Sequence, residues 1–127
     1  MGRPVCVVVG IGPKNGRAFA TRFASEGYAV ALLSRSTDYS SAVADELDGK
    51  AYACDVTDAD AIARTFDRIH EELGAVDVLL YNAGSGQFGT FDDVSDEAFE
   101  IGWKINVRGV LQCTRQVVEA MRERGAG

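Results

Sequence analysis

The sequence predicts an α/β fold, a doubly wound parallel sheet of about four strands with flanking helices. Three observations carry that prediction. Short apolar, β-branched runs alternate with longer stretches whose apolar residues recur at helical spacing. The strand-like runs are apolar except for Asp77 in the fourth, as in strands covered on both faces. The first of them ends in a glycine-rich turn that leads straight into a helix. Right-handed crossovers leave few topologies for such a chain, and the doubly wound one fits this order of elements.

The elements follow in sequence. Val5–Val9 reads as a buried strand. Phe19, Ala20, Phe23, Ala24 and Gly27 then fall on one helical face. Residues 28–33 form the second strand, and a short helix follows over 39–47 with Thr37 or Asp38 as its cap. Residues 51–54 form the third strand. Asp58 opens a helix whose face is Ile62, Ala63, Phe66, Ile69 and Leu73, and Gly74 ends it. Residues 76–80 form the fourth strand, and a polar glycine loop covers 84–89. Ser95, followed by Asp96 and Glu97, caps the last helix. That helix is expected to run as one element to about Arg124, with Trp103, Val107, Val110, Leu111, Val117, Val118 and Met121 at helical spacing.

Composition narrows the functional classes. Of 127 residues 46% are hydrophobic and 25% charged, with 14 Gly and 2 Pro, which suits a packed core and excludes disorder, collagen and coiled coil. A formal net charge of −6 disfavours nucleic acid phosphates and anionic membranes as partners. No apolar run approaches the ~18 residues of a membrane helix, and the run after Pro4 is too short for a signal peptide. The three cysteines, Cys6, Cys54 and Cys113, form no C-x-x-C pair and read as reduced thiols filling the core of a cytoplasmic protein. His70 reads as a surface or boundary residue, Asp92 and Asp93 as a solvated loop, and Trp103 as core or interface.

Two segments point to a ligand. The first strand ends in Gly10-Ile11-Gly12-Pro13-Lys14-Asn15-Gly16, immediately before a helix. Glycines there let a pyrophosphate approach the backbone, and the helix start offers free N–H groups. The competing reading is a plain tight turn. Walker A is excluded, because no G-K-[ST] occurs. The second strand ends in Ser34-Arg35-Ser36, with Arg35 placed 19 residues after Gly16. An acidic residue near this place suits the ribose of NAD, whereas an arginine accommodates a 2′-phosphate. Ser34, a hydroxyl donor, and Arg35 therefore favour NADP(H) over NAD(H); the competing reading is a surface arginine.

Together these residues resemble the short-chain dehydrogenase/reductase family, along the whole chain. Residues 10–16 resemble its Gly-x-x-x-Gly-x-Gly loop, with Gly10 and Gly16 in place. Asp55-Val56, after the third strand, resembles the acidic-hydrophobic pair that contacts adenine. Asn82-Ala83-Gly84, after the fourth, matches the Asn-Ala-Gly motif that steadies the sheet and lines the cofactor pocket. Asn106-Val107 matches the catalytic-site Asn and its neighbour. The resemblance implies a Rossmann-type fold and an NADP(H)-dependent oxidoreductase acting on an alcohol or carbonyl substrate. It makes Asn106 a catalytic-site residue whose helix backbone holds a water; the plain alternative is a satisfied packing amide.

The chain also departs from the family. Lys14 stands where the middle glycine belongs, adding charge beside the phosphates or pointing to solvent. Gly12 is an additional glycine, and Asn15 reads as the N-cap of the helix. The resemblance implies a Tyr-x-x-x-Lys acid/base pair, yet Leu32, Val43, Val56 and Ser85 follow Tyr28, Tyr39, Tyr52 and Tyr81 at that interval. The chain is therefore expected to be the cofactor-binding half, residues 1–127, of a longer single-domain enzyme, incomplete relative to the family fold and inactive alone. An apolar fourth strand at the sheet edge and surplus apolar surface on the last helix predict a homo-oligomer. A noncatalytic NADP(H)-binding or sensing protein and a dimerising interaction module are the alternatives.

Overall fold

The structure, a computed structural model, describes residues 2–127. Four parallel strands, β1 (Val5–Val9), β2 (Ala29–Ser34), β3 (Lys50–Ala53) and β4 (Val76–Tyr81), lie in the order β3-β2-β1-β4. β1 is central and wholly buried, and β4 is an edge with mostly half-buried residues. The predicted α/β sheet is present.

The strands' two faces explain their continuous apolar runs. Val5, Val7, Val9, Ala31 and Leu33 share one core with Ile62, Phe66 and Ile69 of α3 (Ala59–Glu72) and with Cys113 and Val117 of α5 (Gly109–Arg124). Cys6, Val8, Val30 and Leu32 share the other with Ala20 of α1 (Asn15–Ser25) and Val43 and Ala44 of α2 (Thr37–Leu47). Helices thus cover both faces, as the alternation implies. All three cysteines are buried and free. No helix among the described residues is long and apolar enough to cross a membrane.

Several expectations are corrected. The last helix is three elements: α4 (Asp96–Trp103), a π-helical segment (Lys104–Arg108) and α5. Such a turn frees a carbonyl from the helical ladder. Tyr81 supplies the partner, its hydroxyl donating to the Ile105 carbonyl. Gly109 makes room for that hydroxyl, since a Cβ there would collide with it. The cap of α2 is Ser36, not Thr37 or Asp38. Lys14 holds the N-cap position of α1 and Asn15 is the first helical residue, so Asn15 is not the cap. Cys54 lies one residue past β3 rather than inside a strand. Phe19 turns outward while Ala20 faces the core.

The base of the sheet is pinned by one carboxylate. Asp77 accepts the Val5 N–H at 2.7 Å, where the β1–β4 register shifts. Arg124 reaches Asp77 at 3.4 Å and donates to the Val76 carbonyl at 3.2 Å, tying the end of α5 to the start of β4.

Candidate functional site

The C-terminal ends of the strands open onto a cleft of about 760 Å³. It is lined by Gly10 and Gly12 after β1, Ser34, Arg35 and Ser36 at the end of β2, Asp55 and Val56 beyond β3, and Asn82, Ala83 and Gly84 after β4. Parallel strands aim the following loops at one edge of the sheet, where doubly wound folds bind ligands. The volume lies within the ~300–1,000 Å³ of ordinary ligand and cofactor sites.

Backbone geometry explains Gly10. Its φ is +94°, and a Cβ there would lie 2.5 Å from the Ala83 nitrogen and 2.8 Å from the Asn82 carbonyl carbon. The turn after β1 and the segment after β4 are therefore in backbone contact. Asn82 seals that contact: its side-chain amide donates to the Gly10 carbonyl at 3.1 Å and its N–H to the Val9 carbonyl at 2.7 Å. Gly16 is also steric, since a Cβ would strike the Gly10 carbonyl. Gly12 differs: its φ is not positive, and a Cβ added there would meet nothing within 4 Å. It faces open space at the cleft.

The start of α1 is bare. The helices α2, α3 and α4 each have a side-chain cap and an acidic residue in the first turn, whereas α1 has neither. Its N–H groups and partial positive charge are left for an anion.

At the far rim, Arg35 forms no ion pair or side-chain hydrogen bond among the described residues. Asp55 is held in a tight turn, accepting from the Thr57 N–H at 2.9 Å and the Thr57 hydroxyl at 2.8 Å. These bonds, aided by the Arg35 charge, hold its carboxyl below the usual carboxylate range. The Ser34 hydroxyl donates to the Ser36 carbonyl at 2.6 Å, so the donor expected there is already engaged.

A family model described as short chain dehydrogenase matches residues 4–127. The chain belongs to this family. The oxidoreductase UcpA of Escherichia coli (strain K12) is 34% identical over 117 residues, which is 88% of this chain and 44% of that protein. A metagenomic short-chain oxidoreductase, solved in complex with NADP, has TM-score 0.93 at 28% identity, covering 100% of this chain and 60% of that one. An alcohol dehydrogenase from the archaeon Thermococcus sibiricus, complexed with 5-hydroxy-NADP, has TM-score 0.90 at 29% identity, covering 97% and 55%. The chain spans about half the length of the curated relatives it matches.

The short-chain dehydrogenase motifs do not all meet in the cleft. Lys14 is exposed and lines a separate depression on the outer side of α1 with Pro13, Arg17 and Arg22. Asn15 is exposed too, and Gly16 is buried behind the turn. Val107 is 55% exposed and does not line the cleft. Asn106 sits in the π-helical segment and clasps Ser85 by both backbone groups, accepting its N–H at 3.1 Å and donating to its carbonyl at 2.6 Å. Burial pushes Tyr81 up to about 12, and its hydroxyl is committed to Ile105, so it stays a protonated structural group.

Cleft residues not assigned to the site from the sequence are Val9, Ile11, Leu33, Ser36, Cys54, Ser85, Ile101 and Ile105. Ser36 carries a signal, as a hydroxyl beside Arg35 just before a helix. Ile101 and Ile105 read as ordinary helix-face residues, and only the path of α4 and the π-helical segment brings them to the rim.

Proposed function

We propose that this chain is the NADP(H)-binding half of an oxidoreductase that interconverts an alcohol and a ketone. Residues 1–127 are then the first part of a longer single-domain enzyme. The observation that carries this is Arg35, its guanidinium free of protein partners among the described residues at the rim of a cleft whose floor is the glycine turn. A planar, permanently charged fork suits a 2′-phosphate.

The residues present fit the dinucleotide. Gly10, Gly12, Lys14, Asn15 and Gly16 form the pyrophosphate turn, with Gly12 presenting the open backbone. Arg35 takes the 2′-phosphate beside Ser34, and Asp55 and Val56 flank the adenine. Asn82, Ala83 and Gly84 belong to the wall toward the nicotinamide; Asn106, the catalytic-site member, and its neighbour Val107 stand outside the cleft lining and act on it through the hold of Asn106 on Ser85. When bound, the cofactor donates or accepts a hydride at its nicotinamide ring. This chain's residues bind and orient it; the acid and base come from the remainder of the enzyme, since no Tyr-x-x-x-Lys occurs here. The two similar structures solved with NADP-type ligands support this cofactor class.

Titration with NADPH and NADH tests the assignment. NADPH should bind at least tenfold tighter, an advantage of about 1.4 kcal/mol or more. Tighter NADH binding refutes it. Cofactor binding without turnover in the complete gene product would favour a noncatalytic sensor instead.

The reading extends to assembly and place. Phe99, Trp103, Val107, Val110 and Leu111 leave an apolar strip exposed along α4 and α5, which supports a homo-oligomer through these helices. Sedimentation equilibrium showing only monomer at tens of micromolar would contradict that. Three buried free thiols are in keeping with a cytoplasmic enzyme.

A further inference from the structure

Where β2 turns into α2, three serines form a hydrogen-bonded chain that cofactor contacts alone do not explain. Ser40 lies on α2 with its side chain fully buried; Thr65 is the other buried polar residue among those described. A hydroxyl inside a helix usually bonds back to its own helix. Thr65 does so, donating to the Ala61 carbonyl at 2.7 Å. Ser40 instead lies 3.0 Å from the Ser34 hydroxyl oxygen. That oxygen is 2.6 Å from the Ser36 carbonyl, which can only accept, so the single Ser34 proton goes to Ser36. Ser34 must then accept from Ser40. The bonds run from Ser40 to Ser34 to Ser36, and Arg35 stands between the last two. The Ser34 carbonyl is also occupied, accepting the Cys54 N–H at 2.8 Å.

We infer that Ser40 is a positioning residue for the end of the cleft that discriminates NADP(H) from NAD(H). Buried and outside the cleft lining, it fixes the Ser34–Ser36 turn and so sets where Arg35 and Ser36 meet a 2′-phosphate. Ser36 lines the cleft, and its hydroxyl makes only a long 3.4 Å bond to the Asp38 N–H, which leaves it able to turn to a ligand. This inference rests on the assignment of Arg35 to the 2′-phosphate.

The test compares adenosine 2′,5′-bisphosphate with AMP, which lacks only the 2′-phosphate, by calorimetry on the whole chain. The parent should prefer the bisphosphate. Ser40→Ala should weaken bisphosphate binding about tenfold, as loss of a buried hydrogen bond implies, and AMP binding less than about twofold. Ser34→Ala, which cuts the same chain at its half-buried member, should do the same and serves if Ser40→Ala does not fold. The double variant should lose no more than either single one, because all three break one connected unit. Thr65→Val, which also removes a buried hydroxyl, should leave the ratio unchanged. Equal weakening of both ligands, or of neither, in the serine variants overturns the inference. A parent that does not prefer the bisphosphate overturns the 2′-phosphate assignment itself, and needs no variant to be seen.

Discussion

Replacing Gly10 and Gly12 by alanine, separately, should divide the glycine turn into a folding residue and a ligand residue. At Gly10 the φ of +94° is unfavourable for alanine, at a cost of about 1–2 kcal/mol. The new Cβ would also meet the Ala83 nitrogen at 2.5 Å and the Ala83 Cα at 2.7 Å. Both are backbone atoms inside a close contact, so relief requires moving the segment after β4. Overpacking of that kind costs about 1–3 kcal/mol. Gly10→Ala should therefore lose roughly 2–5 kcal/mol, a large share of the 5–15 kcal/mol typical of a domain. Gly12→Ala meets nothing within 4 Å and should stay within about 0.5 kcal/mol of the parent. Its methyl would stand where the pyrophosphate approaches, so NADPH binding should weaken about tenfold or more. Urea unfolding followed by circular dichroism reads the first effect, and calorimetric titration of Gly12→Ala reads the second. A Gly10→Ala chain as stable as the parent, or a Gly12→Ala chain that binds NADPH normally, would refute this division.

Other consequences are as specific. Arg35→Ala should weaken NADPH binding by about 1.5–3 kcal/mol, the worth of a charged hydrogen bond, and leave NADH within about twofold, as titration of both would show. Asn106→Ala removes two bonds to the Ser85 backbone and should cost about 1 kcal/mol, with faster amide exchange at Ser85. The Asp55 carboxyl is held low chiefly by the Thr57 N–H, then by the Thr57 hydroxyl, so its stabilisation is present above the ordinary carboxylate pKa of about 3.9 and is lost as pH falls through the depressed folded value. The stability gap between the parent and Asp55→Asn should accordingly close below about pH 4 in acid unfolding curves. Burial pushes Cys6 and Cys113 up to about 12 and raises Cys54, so a thiol reagent at about pH 8 should label the native chain only at the rate of its unfolding.

How far the sequence anticipates the fold depends on the kind of information each feature carries. β1 is set by five consecutive apolar residues, and its limits match the expectation. α3 is set by the Asp58 cap and the Ile62, Phe66, Ile69 face, both local signals. The break in the last helix is invisible in the sequence, because no proline or glycine pair marks it. It depends on Tyr81, 24 residues before Ile105, and on the room that Gly109 leaves. The same limit holds at the cleft. Gly10, Arg35 and Asp55 stand next to strand ends and can be placed by counting. Ile101 and Ile105 reach the rim only through the tertiary placement of α4 and the π-helical segment. Counting places Ser34 but not its proton, because hydrogen-bond direction depends on Ser36 and Ser40 together.

The separated motifs are coupled through bonds that a linear reading cannot contain. Asn82 reaches back 72 residues to hold the Gly10 carbonyl, so the turn after β1 and the segment after β4 cannot move apart without breaking it. Asn106 holds Ser85, next to Gly84, and Arg108 two residues later donates to the Thr57 carbonyl at 2.6 Å. The π-helical segment thus ties together the loop after β4 and the loop that contains Asp55. Residues outside the cleft lining therefore restrain residues within it. Shortening the π-helical segment by one residue between Asn106 and Arg108, to regular α-helix, would rotate one of these side chains relative to the other by about 100°, enough to release at least one tie. A deletion of Val107 should then disturb binding at the adenine end, although Val107 itself lies outside the cleft lining. Loss of AMP affinity with secondary structure retained would support this coupling, and unchanged affinity would separate the π-helical segment from the site.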